Sequence, residues 1–285
     1  MELYLSYAKR GNNRWWHYPL TLLAGLAIAT VILVLLSVAL TLFRLQPLDL
    51  SGQLQRSSDA WAFFLAIAIM FASLCVGLAA AARLIQNKNP GDIIGGWRWR
   101  LFMAGAAIWL AVELILSGFD FALDPSGFKV GSHGTMLVAL WAFGAILIQT
   151  FTEEFIFRGF LTQGLLLLVR RPFPTACASG LIFGAMHIPN GLPQAINAVW
   201  FGAVCAFLAI RTGGIALTCG IHLANNYFGA MGVVSTRDVF NGLPGLVIQD
   251  TPRLEWWDLA TAIVALAILP KLLRRLQLFP GGTNA

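Results

Sequence analysis

The chain has 285 residues, of which 58% are hydrophobic and only 11% charged, and its formal net charge is +6. Soluble domains carry about 25% charged residues, so this composition excludes a soluble globular protein and predicts an integral membrane one. The positive balance does not argue for nucleic acid, because membrane proteins hold lysine and arginine in their cytoplasmic loops.

Along the chain, the basic stretch KRGNNR is followed by an apolar run. The run exceeds the roughly 7–15 residues of a signal-peptide core and has no clear small-residue cleavage site, so it reads as a retained span. A helix crosses the hydrocarbon core with about 20 apolar residues. On that measure eight spans are predicted, near 19–43, 60–82, 101–119, 135–157, 174–189, 194–210, 214–231 and 257–273. The fifth and sixth are short and bounded by Pro172, Pro174, Pro189 and Pro193. Residues 160–169 either continue the fourth helix or bend into the interface. Lysines and arginines on alternate sides number thirteen against five, with Arg158 left inside a span, which predicts both termini in the cytoplasm. Trp15, Trp16, Trp97, Trp99, Trp256 and Trp257 sit where interfacial belts need them. Compact loops and this bias favour a multi-pass protein of a prokaryotic plasma membrane.

The fold class is therefore all-α: a polytopic bundle of about eight transmembrane helices. Three regions are expected: 1–134 with three spans, a core at 135–231 with four, and 232–285 with an outer loop and the last span. The stretch 232–256 reads as an ordinary loop, with an interfacial flap as the alternative. Cys75, Cys177, Cys205 and Cys219 all lie in apolar segments without a CxxC pair and read as small core residues.

Against this background FTEEFIFRGF, residues 151–160, stands out, because a charge at a helix centre costs roughly 2.5–3.5 kcal/mol. Glu154 and Arg158 are i,i+4 and can pair on one face. Glu153 points about 100° away, needs another partner, and is the candidate for chemistry. His187 lies near the end of the fifth span, and the seventh carries His222, Asn225 and Asn226. His222 and Asn226 are again i,i+4. Ala176, Gly180 and Gly184 form a small-residue stripe that lets the fifth helix approach a neighbour closely near His187. Taken singly, each polar residue has a structural explanation as a helix–helix hydrogen-bonding group. Asn225 reads as structural, Glu113 in the third span has no evident partner, and His17 and His133 fall in flanking sequence. As a set on three spans, Glu153, His187, His222 and Asn226 point to a functional site.

These residues resemble the motifs of the CPBP family, the CAAX-protease and bacteriocin-processing (Abi) membrane enzymes. EExxxR matches Glu153, Glu154 and Arg158; FxxxH matches Phe183 and His187; HxxxN matches His222 and Asn226. Order and spacing agree over about 135–231. The resemblance implies an intramembrane endopeptidase acting on a membrane-associated peptide or protein, with no nucleic-acid partner.

Amide hydrolysis needs an activated water, a proton for the leaving amine and support for an oxyanion. Glu153 suits the general base, with His187 orienting the water and shuttling the proton. His222 and Asn226 offer donors for the oxyanion, while Glu154, Arg158 and Phe183 supply structural support. This scheme needs no cofactor. A zinc site made of Glu153, His187 and His222 stands beside it as an alternative, although the HExxH helix of zincins is absent. Two other functions remain open on the sequence. One is a proton- or ion-coupled transporter, which would show inverted repeats that are not found here. The other is a non-catalytic scaffold, which would be expected to have lost a motif residue.

Overall fold

The computed structural model describes residues 1–42, 60–131 and 136–278. Arg44 and Arg56, two of the five basic residues counted on the outer side, and His133 lie outside the described residues. The elements in order are α1 (Glu2–Ala8), α2 (His17–Leu42), α3 (Ala60–Gln86), α4 (Pro90–Ile94), α5 (Trp99–Leu123), β1 (Phe128–Val130) and α6 (Met136–Glu153). A π-helical segment, Glu154–Leu161, joins α6 to α7 (Thr162–Val169). There follow α8 (Pro172–Ala185), α9 (Leu192–Thr212), α10 (Ala216–Tyr227), a second π turn (Phe228–Gly232), β2 (Val233–Ser235), β3 (Val247–Gln249) and α11 (Glu255–Arg275).

Each of the eight predicted spans is helical, but among the described residues only six helices are long and apolar enough to cross a membrane. These are His17–Leu42, Ala60–Gln86, Trp99–Leu123, Leu137–Val169, Leu192–Thr212 and Pro252–Arg275. The fourth is a continuous rod of 33 residues; residues 160–169 continue the helix and do not bend away. The shortfall from eight has two local causes. Pro172 and Pro174 start α8 and the chain turns at His187–Asn190, leaving 14 residues, fewer than the roughly 20 of a full crossing. In α10, which has 12 residues, the apolar run is interrupted by His222, Asn225 and Asn226.

Helices α8 and α9 pack together closely, as do α2 with α3 and α10 with α5. The small-residue stripe accounts for the first pair. A side chain at Gly180 would meet the Val199 carbonyl at 2.5 Å, and one at Gly184 the Ala195 carbonyl at 2.9 Å. Helix α9 ends after Thr212 because Gly213 takes the left-handed conformation, φ +87°, that closes a helix C-terminus.

The loops assigned to each side of the membrane meet one another. At one end Gly95 bridges Gly214, joining the second–third and sixth–seventh connections. At the other end β1, β3 and β2 form a small sheet in that order, with β1 antiparallel and β2 parallel to β3. Residues 232–256 are thus more than an ordinary loop. They supply two strands, and Asp238, Val239 and Phe240 line a cavity inside the bundle.

Candidate active site

The EExxxR segment straddles the change from α to π winding, with Glu153 closing α6 and Glu154 opening the wide turn. Single π turns within α-helices occur often at functional sites. Two contacts fix this one. Thr162 Oγ1 donates to the Phe157 carbonyl at 2.7 Å, five residues back, and the Tyr4 hydroxyl donates to the Arg158 carbonyl. Tyr4 comes from the short amphipathic α1 and is fully buried, so the N-terminus props up the helix that carries the site. Burial raises the Tyr4 phenol well above its ordinary value, which keeps the hydroxyl a donor.

Glu154 and Arg158 are both fully buried, with Nη1 of Arg158 3.0 Å from Glu154 Oε1. The guanidinium is close enough for ion pairing but poorly angled for a hydrogen bond. Its flat face lies over the ring of Phe183, 4.1 Å from the centroid, a desolvated cation–π contact. The second group on Glu154 is His222, whose Nδ1 lies 2.9 Å from Oε1. Since a carboxylate accepts, Nδ1 carries a proton and Nε2 is the acceptor in the neutral ring. That Nε2 is 3.6 Å from Glu153 Oε2, too far for a direct hydrogen bond.

Glu153 is held by a residue the sequence reading passed over. Gln149 Nε2 donates to Glu153 Oε1 at 2.7 Å, and Gln149 Oε1 accepts from Asn226 Nδ2 at 2.9 Å. Asn226 Oδ1 accepts from Asn225 Nδ2 at 2.9 Å, and Asn225 Oδ1 accepts from Trp109 Nε1 at 3.1 Å. Every donor in this chain points towards Glu153, so the amides align their dipoles on one carboxylate oxygen. The other oxygen, Oε2, is buried without a hydrogen-bond partner. The signal for Gln149 was its i,i+4 spacing from Glu153. Asn225, read as structural, is a member of the chain. Glu113 has a partner after all, because Trp109 Nε1 also lies 2.8 Å from its Oε1.

Glu153, His187, His222 and Asn226 all line one cavity of about 510 Å³, with Gln149, Asn225 and Phe240 among its other walls. His187 is half-buried at the turn after α8, and its Nδ1 is 2.8 Å from the Phe183 carbonyl. A carbonyl only accepts, so Nδ1–H is committed and Nε2 is the basic nitrogen of the neutral ring. Phe183, 2% exposed, touches both His187 and His222 edges and the Arg158 face. Among the described residues, no three His, Cys, Asp or Glu side chains gather at metal-binding spacing. The set Glu153, His187 and His222 does not fit a zinc ion in this arrangement.

The fold and the site define an integral multi-pass membrane protein that keeps its acid–base residues within the bundle. Residues 135–228 match the family model of the Rce1-like type II CAAX prenyl endopeptidases. Through this segment the chain is similar to the CAAX-protease family. The chain is also 26% identical over 264 residues to the uncharacterized protein YyaK of Bacillus subtilis strain 168, covering 86% of this chain and 87% of the relative. No solved structure matches the chain significantly.

Proposed function

We propose that the protein is an intramembrane endopeptidase in which Glu153 activates water for attack on a peptide bond of a membrane-associated substrate. The observation that carries this reading is the asymmetry of Glu153. Gln149 holds one carboxylate oxygen, while the other is buried, without a hydrogen-bond partner and 3.6 Å from His222 Nε2 in a cavity that His187 shares. A general base needs such a free oxygen within reach of a water.

Glu153 Oε2 accepts a proton as the water oxygen bonds to the scissile carbonyl carbon. The resulting tetrahedral centre collapses with cleavage of the C–N bond. His187 Nε2 carries the proton to the leaving amine. Asn226 Nδ2 has a second N–H besides the one given to Gln149, and this donor faces the developing oxyanion. His222 joins it only when the ring carries both protons, because Nδ1–H already serves Glu154. The Rce1-like match supports a substrate with a prenylated C-terminus, and the Bacillus relative supports a bacterial plasma membrane as the site of action.

The test is a purified, bilayer-reconstituted protein incubated with a farnesylated peptide ending in a CAAX sequence, with release of the C-terminal tripeptide followed by mass spectrometry. Release by the wild type and none by Glu153→Gln is expected. Equal release by both contradicts the assignment.

A further inference from the structure

The cavity that holds Glu153 has a neighbour of about 270 Å³ at the sheet end of the bundle. Gln194, Asn197, Asn225, Gly229 and Asp238 line both, so the two spaces adjoin at these five residues. The polar groups here are engaged within the fold, with one exception. Gln194 Nε2 donates to Asp238 Oδ1 at 2.5 Å, and Asn225 belongs to the amide chain that ends on Glu153. The Asn197 side chain makes no hydrogen bond among the described residues, and its Oδ1 is buried without a partner. An acceptor left in that state costs stability, and native folds keep few of them, so each calls for an explanation.

Its position supplies one. Asn197 stands one turn before Phe201 on α9, and the Phe201 ring touches that of His222, with centroids 5.1 Å apart. Four residues of α-helix rise about 6 Å, which about two residues of extended chain also span. A group held by Asn197 is therefore two or three peptide units from one reacting beside His222 and Glu153. Gly229, in the second π turn, adds an independent observation on the same wall. A methyl group there would approach Asp238 and Phe240 no closer than 3.7 Å, and the backbone is not left-handed. Neither packing nor conformation requires glycine at this position. What its missing side chain leaves is room for a ligand's backbone to come close.

A neutral acceptor wants an N–H or O–H donor, and a peptide chain presents backbone N–H groups at regular spacing. We propose that Asn197 is a substrate-binding residue, whose Oδ1 accepts from one backbone N–H of an extended peptide two or three residues from the scissile bond. The peptide then lies across both cavities, with residues on each side of the bond that is cut. A main-chain contact of this kind supplies affinity without reading side chains. The free protein carries the unsatisfied acceptor as the cost of having it ready. The word substrate rests on the protease reading; the preference for a peptide N–H does not.

A binding cycle keeps the two apart. Fluorescein-labelled farnesylated peptides ending in a CAAX sequence are prepared with one backbone amide at a time replaced by an ester, which removes a single N–H. Binding to the full-length Glu153→Gln protein in nanodiscs is read by anisotropy against empty nanodiscs, so no turnover is needed. One ester within three residues of the scissile bond should weaken binding about five- to tenfold, the worth of one hydrogen bond. In the Glu153→Gln, Asn197→Leu double variant the same ester should cost less than about twofold more than the others. Asn197→Leu should not lower the melting temperature, because Oδ1 has no protein partner to lose; a merely structural asparagine would. Asn197→Ala serves in the same cycle if the leucine variant does not fold. Ester costs that are the same with and without Asn197, no binding of any peptide, or a melting temperature several degrees lower in both Asn197 variants overturns the proposal. If the cycle shows the coupling while the wild type never releases a C-terminal tripeptide, the protease reading fails and the peptide site stands. Cleavage by the wild type without the coupling leaves the protease reading and removes Asn197 from the site.

Discussion

His222 Nδ1 stands 2.9 Å from Glu154 Oε1, so the second glutamate of the pair, and not the first, holds the histidine of the seventh apolar segment. Glu154 thereby serves two cationic or proton-bearing partners, Arg158 on its own helix and His222 across the bundle. Glu153 is left with one oxygen engaged and one free. Adjacent carboxylates of one sequence motif thus do different work, and the difference comes from what each meets in the fold.

Removing Arg158 leaves Glu154 buried and unpaired on that side. Breaking one member of a fully buried pair costs roughly 3–5 kcal/mol. Arg158→Ala should therefore lower both the yield of monodisperse protein in detergent and its melting temperature, and activity should fall with the folded fraction. Arg158→Lys keeps the charge but loses the flat contact with Phe183, and should recover only part of the stability. An Arg158→Ala protein that melts with the wild type would show that the pair is dispensable.

Gln149 makes a prediction that separates positioning from support. Gln149→Leu removes the donor to Glu153 Oε1 and the acceptor for Asn226 while keeping the volume. A hydrogen bond to a charged group is worth about 1.5–3 kcal/mol, so kcat should fall about 10- to 100-fold. KM should change little, while the melting temperature should fall modestly, because Glu153 and Asn226 each lose a hydrogen-bond partner. An unchanged kcat would remove Gln149 from the site.

Asp238 gives a pH-dependent signature outside the membrane-spanning helices. Burial raises its carboxyl above the ordinary 3.8, outweighing the hydrogen bonds from Val239 and Gln194 that pull it down. The folded protein therefore binds this proton more readily than the unfolded chain. Its contribution favours the fold at low pH and is lost as pH rises through the raised value. As pH rises above about 4, the melting temperature of the wild type should decline relative to that of Asp238→Asn, which has nothing to titrate. Parallel curves for the two proteins would contradict this.

The zinc alternative has its own test. Extensive chelation and dialysis should leave peptide hydrolysis intact, and elemental analysis should find no stoichiometric zinc. Zinc at one equivalent that disappears in both His187→Ala and His222→Ala would replace the water-activating carboxylate with a metal mechanism on the same residues.

Much of this architecture was legible in the sequence because membrane helices and intramembrane charges leave strong signals. The long apolar runs located the helices, and the i,i+4 spacing of Glu154 and Arg158 placed their ion pair even though the backbone there winds as a π-helix. Span number was harder, since length is set by where prolines and polar residues stop a helix: Pro172 and Pro174 shorten α8, and the site residues themselves interrupt α10. Tyr4 and Asp238 could not be found by periodicity, because each reaches the site by tertiary packing from a segment with no motif. Gln149 was findable, one turn before Glu153, but a lone amide in an apolar run does not declare which neighbour it serves. The partner of His222 was also hidden, because spacing within a helix says nothing about contacts between helices.

Hydrolysis of membrane-associated substrates through Glu153, as proposed, is measured most directly by a comparison of protein termini. Membranes from cells carrying the wild-type protein and from cells carrying Glu153→Gln at equal abundance are compared by terminal-peptide mass spectrometry. The account predicts a defined set of new C-termini in membrane-associated proteins that appears with the wild type and is absent with Glu153→Gln. Identical termini in the two, at matched levels of folded protein, would contradict it.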